Sequence, residues 1–254
     1  MDKAVTDAFA AAGSVAQHYS AHLAPVYEWL AGGLETAVVR AAAELTGLGL
    51  LHRPRCQVVD LGAGFGAHTL ALARAGHAVL ALDTSALLLQ RLQHAAQGLP
   101  VTAIAADLLE FGRHLTRPAD LILCMGDTLP HLPEPADVTR LIAAVAANLS
   151  AQGVFIATFR DYSQVLTAEQ RFIPVKSDAQ RILTCFLEFE SEHVVVHDLL
   201  HERHEEQWRL RVSAYRKLRL APAVLADALR AHGLQVRQEP GPAGMIRVVA
   251  NRMA

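Results

Sequence analysis

Gln57-Val58-Val59-Asp60-Leu61-Gly62-Ala63-Gly64-Phe65-Gly66 decides how the rest of the chain is read. Its first half is a short apolar run and its second half a glycine cluster, the pattern of a buried strand breaking into a sharp turn. Glycines at 62, 64 and 66 admit backbone angles closed to other residues. Lacking Cβ atoms, they also let a ligand lie against the main chain. The helix expected next presents free N–H groups to that ligand. By letters alone, Gly62-x-Gly64-x-x-Ala67 also satisfies the dinucleotide fingerprint, so the glycines leave the ligand open.

Outward from this turn the chain alternates. Residues 34–50 carry Leu34, Val38, Ala41, Ala42 and Leu45 at helical spacing. Apolar runs at 77–82, 101–106 and 121–125 read as three further strands, ending at Asp83, at Asp107 and at Gly126-Asp127. With Asp137 as N-cap, Val138, Leu141, Ile142, Val145, Ala146 and Leu149 predict a one-sided helix, and 153–159 a fifth strand. Such alternation implies a parallel sheet covered on both faces, with its ligand beyond the carboxyl ends of the strands. After residue 160 the period changes to two. Leu187 and Phe189 alternate with Glu188 and Glu190, then Trp208, Leu210 and Val212 with Arg209, Arg211 and Ser213, which predicts half-buried antiparallel strands over 183–219. A helix from Pro222 to a C-cap at Gly233 and a last strand at 245–250 close the chain. The expected organisation is one domain over 1–254. It comprises a helical extension (1–50), a ligand-binding half (51–160), an antiparallel ribbon insertion (161–220) and a closing helix and strand (221–254).

Three features weigh against a dinucleotide. Asp60 would repel a pyrophosphate but suits an ammonium or sulfonium; about fifty residues precede the first strand; and no second βαβ half follows the fifth. Asp83, 17 residues beyond Gly66, can accept both hydroxyls of a ribose, and can also serve the helix start at Ser85. Asp107 can accept from an exocyclic amine while Leu108 covers the ring; a solvent-facing loop acid is the plainer alternative.

Taken together, Val58 to Gly66 with Asp83 and Asp107 resemble the class I S-adenosylmethionine-dependent methyltransferases, well over 56–160 and loosely over 220–250. The resemblance implies an α/β fold, a Rossmann-like seven-stranded sheet whose last strand is antiparallel. It implies S-adenosylmethionine as cofactor, held around Asp60, Gly62, Ala63, Gly64, Asp83, Thr84, Asp107, Leu108 and Met125. Two stretches, Leu123 to Leu132 and Phe159-Arg160-Asp161-Tyr162, are similar to glycine N-methyltransferases. That similarity sets Asp127 in the place of a substrate-facing asparagine and Arg160 in that of a carboxylate clamp. An acid at 127 can hold a cation or act as a base, and His131 is the second candidate base. Related small-molecule enzymes cover their pocket with the N-terminal segment, which here offers Tyr19, Tyr27 and Trp29; Tyr19 and Tyr27 are the expected substrate contacts, and core packing suits Trp29.

Composition narrows the function classes. The chain has 254 residues, 52% hydrophobic, with 23 Lys+Arg against 25 Asp+Glu, so no net field recruits nucleic acid or anionic membrane. Strand four lacks the acid/amide-Pro-Pro-aromatic run that stacks a flipped base. Arg209, Arg211, Arg216, Lys217 and Arg219 lie close to Glu202, Glu205 and Glu206, which reads as a solvated ribbon face. Cys56, Cys124 and Cys185 form no C-x-x-C pair, and the last two read as core. No bilayer-length apolar run of roughly 18 residues occurs, and Met1–Val5 does not open a signal peptide; a cytoplasmic location is expected. Of the 13 histidines, His193, His197, His201 and His204 invite a metal. On a strand, however, His197 and His201 stand roughly 13 Å apart, too far for one ion. They are read as ribbon surface, with no metal site. The expected activity is methyl transfer to a small molecule, at nitrogen before oxygen or sulfur. The competing reading is a non-catalytic cofactor-binding or partner protein, and the exposed ribbon edge could pair two chains.

Overall fold

The computed structural model describes residues 13–252, so the Met1–Val5 reading and the first part of the 1–50 extension lie outside the described residues. Seven strands form the main sheet: β1 (Gln57–Leu61), β2 (Ala78–Asp83), β3 (Val101–Ala105), β4 (Ala119–Cys124), β5 (Leu149–Phe159), β10 (Leu234–Pro240) and β11 (Ile246–Arg252). Their order is β10-β11-β5-β4-β1-β2-β3, and β11 runs against both of its neighbours. Strand order reverses between the parallel neighbours β1 and β4, with β2 and β3 added on one side and β5 on the other, which is the switch point at which open α/β sheets bind ligands. Val58, Val59 and Leu61 are fully buried at its centre, each worth about 1.5–3 kcal/mol of transfer energy.

Both faces are covered. Helices at Leu34–Gly47 (α3) and Ala67–Arg74 (α4) pack Val38, Leu45, Leu70 and Leu72 on one face. The other face takes Leu141, Ile142 and Val145 of Pro135–Asn148 (α6) and Leu225 and Leu229 of Pro222–Ala231 (α7). Helix α6 starts earlier than expected. Glu134 is its N-cap and Pro135 opens the first turn, because a proline ring is already set for helical φ and lacks only an N–H that would be unpaired there; Asp137 instead sits inside the first turn and pairs with Arg140. Strand β5 likewise begins at Leu149, before the predicted 153. Helix α5 (Ala86–Ala95) starts from Ser85, and Gly233 adopts φ 76° just beyond α7.

The period-two segment is a separate four-stranded antiparallel sheet of β6 (Phe172–Ser177), β7 (Arg181–Phe189), β8 (His193–His204) and β9 (Gln207–Leu218), in that order. Its register corrects the surface reading of His197. Paired with Phe186 and Ala214, His197 is only 2% exposed; its ring lies 5.5 Å from that of Phe186 and its Nε2 meets Glu188 at 3.2 Å. Cys124 is buried as expected, whereas Cys185 is half-buried and donates to Asp198 at 2.8 Å. Residues 15–31 form a chain of short helical turns: α1 (Val15–His18), a wide turn at Tyr19–Leu23, a tight one at Ala24–Val26, and α2 (Tyr27–Ala31). Among the described residues, no helix is long and apolar enough to cross a membrane.

Candidate active site

Beyond the carboxyl ends of β1 to β4 lies a cavity of about 860 Å³. The glycine turn forms its floor. Gly62, Gly64 and Gly66 all have positive φ. A Cβ on Gly62 would stand 2.4 Å from Thr128 Cγ2, and one on Gly66 2.2 Å from Leu92 Cδ1, so these two positions are closed by packing as well as by backbone angle. At Gly64 the nearest atom to an added Cβ is Tyr27 Cε1 at 4.0 Å, which leaves the space over the turn open.

Acids stand around this floor. Asp60, 2% exposed, accepts from Thr69 Oγ1 at 2.6 Å and so ties β1 to α4; burial pushes its carboxyl up. The Asp83 carboxylate accepts from the Gly64 N–H and the Ser85 N–H, both at 2.7 Å, while burial raises its pKa against those two hydrogen bonds. Asp107, exposed at the end of β3, accepts from the Leu109 N–H at 2.8 Å. Of the expected cofactor residues, Asp60, Gly62, Ala63, Gly64, Asp83, Thr84, Asp107, Leu108 and Met125 all line the cavity.

The opposite wall is aromatic. Tyr19 lies edge-on to His131 with ring centroids 5.5 Å apart, and Tyr27 lies 6.1 Å from Tyr19 and 5.5 Å from Phe65. Tyr215, from β9, stands 5.6 Å from His131 and stacks on His18 at 4.1 Å. Burial holds the Tyr19 and Tyr215 phenols well above their ordinary range, so both stay neutral donors. Burial first, then the charges of Lys217 and His18, push His131 well below the usual imidazole range. Its Nε2 is buried with no hydrogen-bond partner.

Tyr19, Tyr27 and His131 thus meet at the cavity, whereas Asp127 and Arg160 are not among its lining residues. Asp127 is buried against Lys217, with Nζ to Oδ2 at 2.5 Å, and its other oxygen accepts the Arg160 N–H. The exposed Arg160 guanidinium donates away from the cavity, to the Ala243 carbonyl at 3.1 Å. Sequence reading missed what anchors the aromatic wall. His18 Nε2 meets Asp198 at 2.8 Å and its Nδ1 meets Ser213 at 2.8 Å, both from the inserted sheet. Trp29 donates to Asp178 of the β6–β7 turn at 2.5 Å. The even residues of β8 and odd residues of β9 were the available signal, since the alternation puts Asp198, Ser213 and Tyr215 on one face.

The lining charges select a ligand type. Asp60, Asp83, Asp107 and Glu134 face Arg216, whose guanidinium is already paired with Glu190. That donor set suits a cationic ligand with a neutral nucleoside and disfavours a polyphosphate. Residues 58–153 match the protein family described as methyltransferase domain. The glycine/sarcosine N-methyltransferase of Aphanothece halophytica is 26% identical over 112 residues, 43% of this chain and 42% of that protein. Its counterpart in Halorhodospira halochloris is 27% identical over 119 residues, 46% of this chain and 44% of that protein. The chain spans less than half the length of these curated relatives. The crystal structure of DesVI from Streptomyces venezuelae superposes with a TM-score of 0.76 at 17% identity, over 91% of this chain and 98% of that one, a likeness of fold. This strand order, this glycine turn and the methyltransferase-domain match over residues 58–153 all point the same way, to a likeness with the class I S-adenosylmethionine-dependent methyltransferases.

Proposed function

We propose that the chain methylates a nitrogen of a small-molecule amine. The observation that carries this reading is the continuity of the cavity, one space of about 860 Å³ from the acids at the strand ends to the aromatic wall. A single drug-sized ligand takes about 300–1,000 Å³, so the upper end of that range leaves room for two smaller ligands side by side. S-adenosylmethionine, when bound, supplies an electrophilic methyl carbon on a sulfonium. Asp83 and Asp107 hold its ribose and adenine, and the Gly62–Gly64 backbone and Asp60 its amino-acid end. Tyr19 and Tyr27 present ring faces that favour a cation and exclude water from the methyl's path. His131, neutral and bare at Nε2, takes the proton that the acceptor nitrogen must lose. Alignment of donor and acceptor is the larger contribution, since positioning alone supplies several kcal/mol of the barrier.

The Arg160 clamp of glycine N-methyltransferases is not carried over, because its guanidinium lies outside the cavity. Nitrogen is favoured over oxygen or sulfur by the named activity of the curated relatives. The test is incubation with methyl-labelled S-adenosylmethionine and a panel of primary and secondary amines, following labelled product and S-adenosylhomocysteine by mass spectrometry. Label is expected in an amine and is lost with Asp83→Ala. Labelled alcohols or thiols alone would overturn the nitrogen assignment. Cofactor binding with no label in any acceptor would favour the non-catalytic reading.

A further inference from the structure

Both faces of the inserted sheet are apolar, but only the inner one is packed. There Leu183 and Leu200 meet Leu23 and Val26 of the N-terminal turns. The alternate residues form the outer face, in rows across the strands. Phe172 and Phe186 stand in one row, Leu199 and Val212 in the next, and Ile182 and Leu210 in a third. An antiparallel sheet that faces water normally carries polar residues on that side. Here Phe172, Ile182, Trp208 and Leu210 are between 37% and 52% exposed, four of the nine large apolar side chains left exposed among the described residues, so bare apolar surface concentrates on this face. Charged side chains stand around it. Arg171, Glu188 and Arg216 lie at one end, where Arg171 covers the Phe186 ring at 4.8 Å, and Arg203 lies at the other, in the row of Trp208. An apolar centre with aromatic residues and a charged rim is the anatomy of a protein interface.

We propose that this outer face is a dimer interface, covered by the same face of a second copy about a two-fold axis that crosses the strands at the Leu199 row. Size supports it. Four strands about 4.8 Å apart, over the eight residues from Val195 to Arg203 at about 3.3 Å each, make a face of roughly 19 by 26 Å, on the order of 500 Å² in outline. Two copies joined there cover about 1,000 Å² before side-chain relief is counted, the area at which specific interfaces begin. Flat sheet faces pack about 10 Å apart with their strands nearly aligned, and a two-fold axis makes one patch its own complement. Leu199 lies midway between Val195 and Arg203 on β8, so the axis exchanges the two ends of the face. Arg203 and Trp208 of one copy then oppose the row of Glu188 and Arg216 in the other, an acid for the cation and a cation for the indole ring. The edges are less suited to a partner than the face. Gly13 N–H already donates to the Ala214 carbonyl of β9 at 3.0 Å, and β6 carries Pro174 beside a register shift.

The experiment is sedimentation velocity on the full chain over a concentration series, with circular dichroism to verify that each variant is folded. The unaltered chain is expected to dimerise reversibly. Leu210→Asp and, separately, Ile182→Asp are each expected to weaken the dimer about a hundredfold, because a two-fold interface buries the new charge twice. Val224→Asp, at an equally exposed apolar side chain on α7, is expected to leave it unchanged. Arg203→Glu, set against Glu188 of the second copy, is expected to weaken it about tenfold. Should an aspartate variant not fold, Trp208→Ser with Leu210→Ser carries the same expectation. A dimer that survives these changes on the outer face overturns the proposal. So does a chain that is monomeric at every concentration, which would leave the face to the chain's own first twelve residues or to a different protein.

Discussion

The two sheets build their halves of the cavity in different ways. In the main sheet, Gly62, Asp83, Asp107 and Gly126 come one after another, each at the end of its own strand, and the hydrogen bond joining the first two strand ends, Gly64 N–H to Asp83, spans 19 residues. In the inserted sheet the decisive contacts are remote: His18 with Asp198 across 180 residues, and Lys217 with Asp127 across 90. The parallel sheet makes a ligand floor by repeating one local device. The antiparallel sheet makes a wall by recruiting polar partners from elsewhere and burying them. Floor and wall should therefore fail separately when mutated.

The largest effect is expected at the floor. Gly62→Ala puts a Cβ 2.4 Å from Thr128 at a left-handed backbone position, a distortion of about 2–5 kcal/mol. Calorimetry should show S-adenosylmethionine affinity falling on the order of 100-fold, which is about 2.8 kcal/mol. Unchanged affinity would show that the turn is not the cradle. Next comes the wall. Asp198→Ala leaves His18 Nε2 and Cys185 Sγ without their acceptor, costing about 2–4 kcal/mol in denaturant unfolding. Cofactor affinity should stay within a few-fold while the acceptor KM rises; a loss of cofactor affinity as large as that of Gly62→Ala would erase the distinction between the sheets. The smallest effect is expected at Arg160→Ala. The exposed side chain holds only the Ala243 carbonyl, and its loss should change kcat/KM by no more than about twofold, the scale of a surface substitution. A hundredfold loss there would restore the carboxylate clamp.

The same contrast explains what could be read from the sequence. Strand ends, the glycine turn and the antiparallel insertion are legible because the signal is local: apolar runs of strand length, acids at their ends, and a change of period after residue 160; the direction of the last strand comes only from the family likeness. The floor residues are legible for the same reason. His131, Tyr19 and Tyr27 could be named only through a family likeness, and their supports could not be named at all. Nothing at His18 announces Asp198, and nothing at Asp127 announces Lys217, because each pairing exists only once the inserted sheet has docked, against the N-terminal turns in one case and the main sheet in the other. Asp127 shows the consequence. Its position after β4 was read correctly, but an acid at a strand end looks the same in a string of letters whether it faces substrate or a buried lysine. His197 repeats the lesson, since alternation assigns a face and only register decides what covers it.

The 180 residues between His18 and Asp198 also have a meaning in time. Chains are synthesised at about 5–20 residues per second, so roughly 10–35 s separate the making of the histidine from the making of its partner. During that interval β1 to β5 and their helices can assemble from near neighbours, while the turns carrying Tyr19 and Tyr27 have Phe65 and His131 beside them but lack Asp198, Ser213 and Tyr215 of the inserted sheet. Loop-closure entropy places such distant pairings late. The pocket's wall is therefore expected to become native after its floor, on the ribosome and in refolding alike, so that a nascent chain acquires the glycine turn and its acids well before it acquires the anchored aromatic wall.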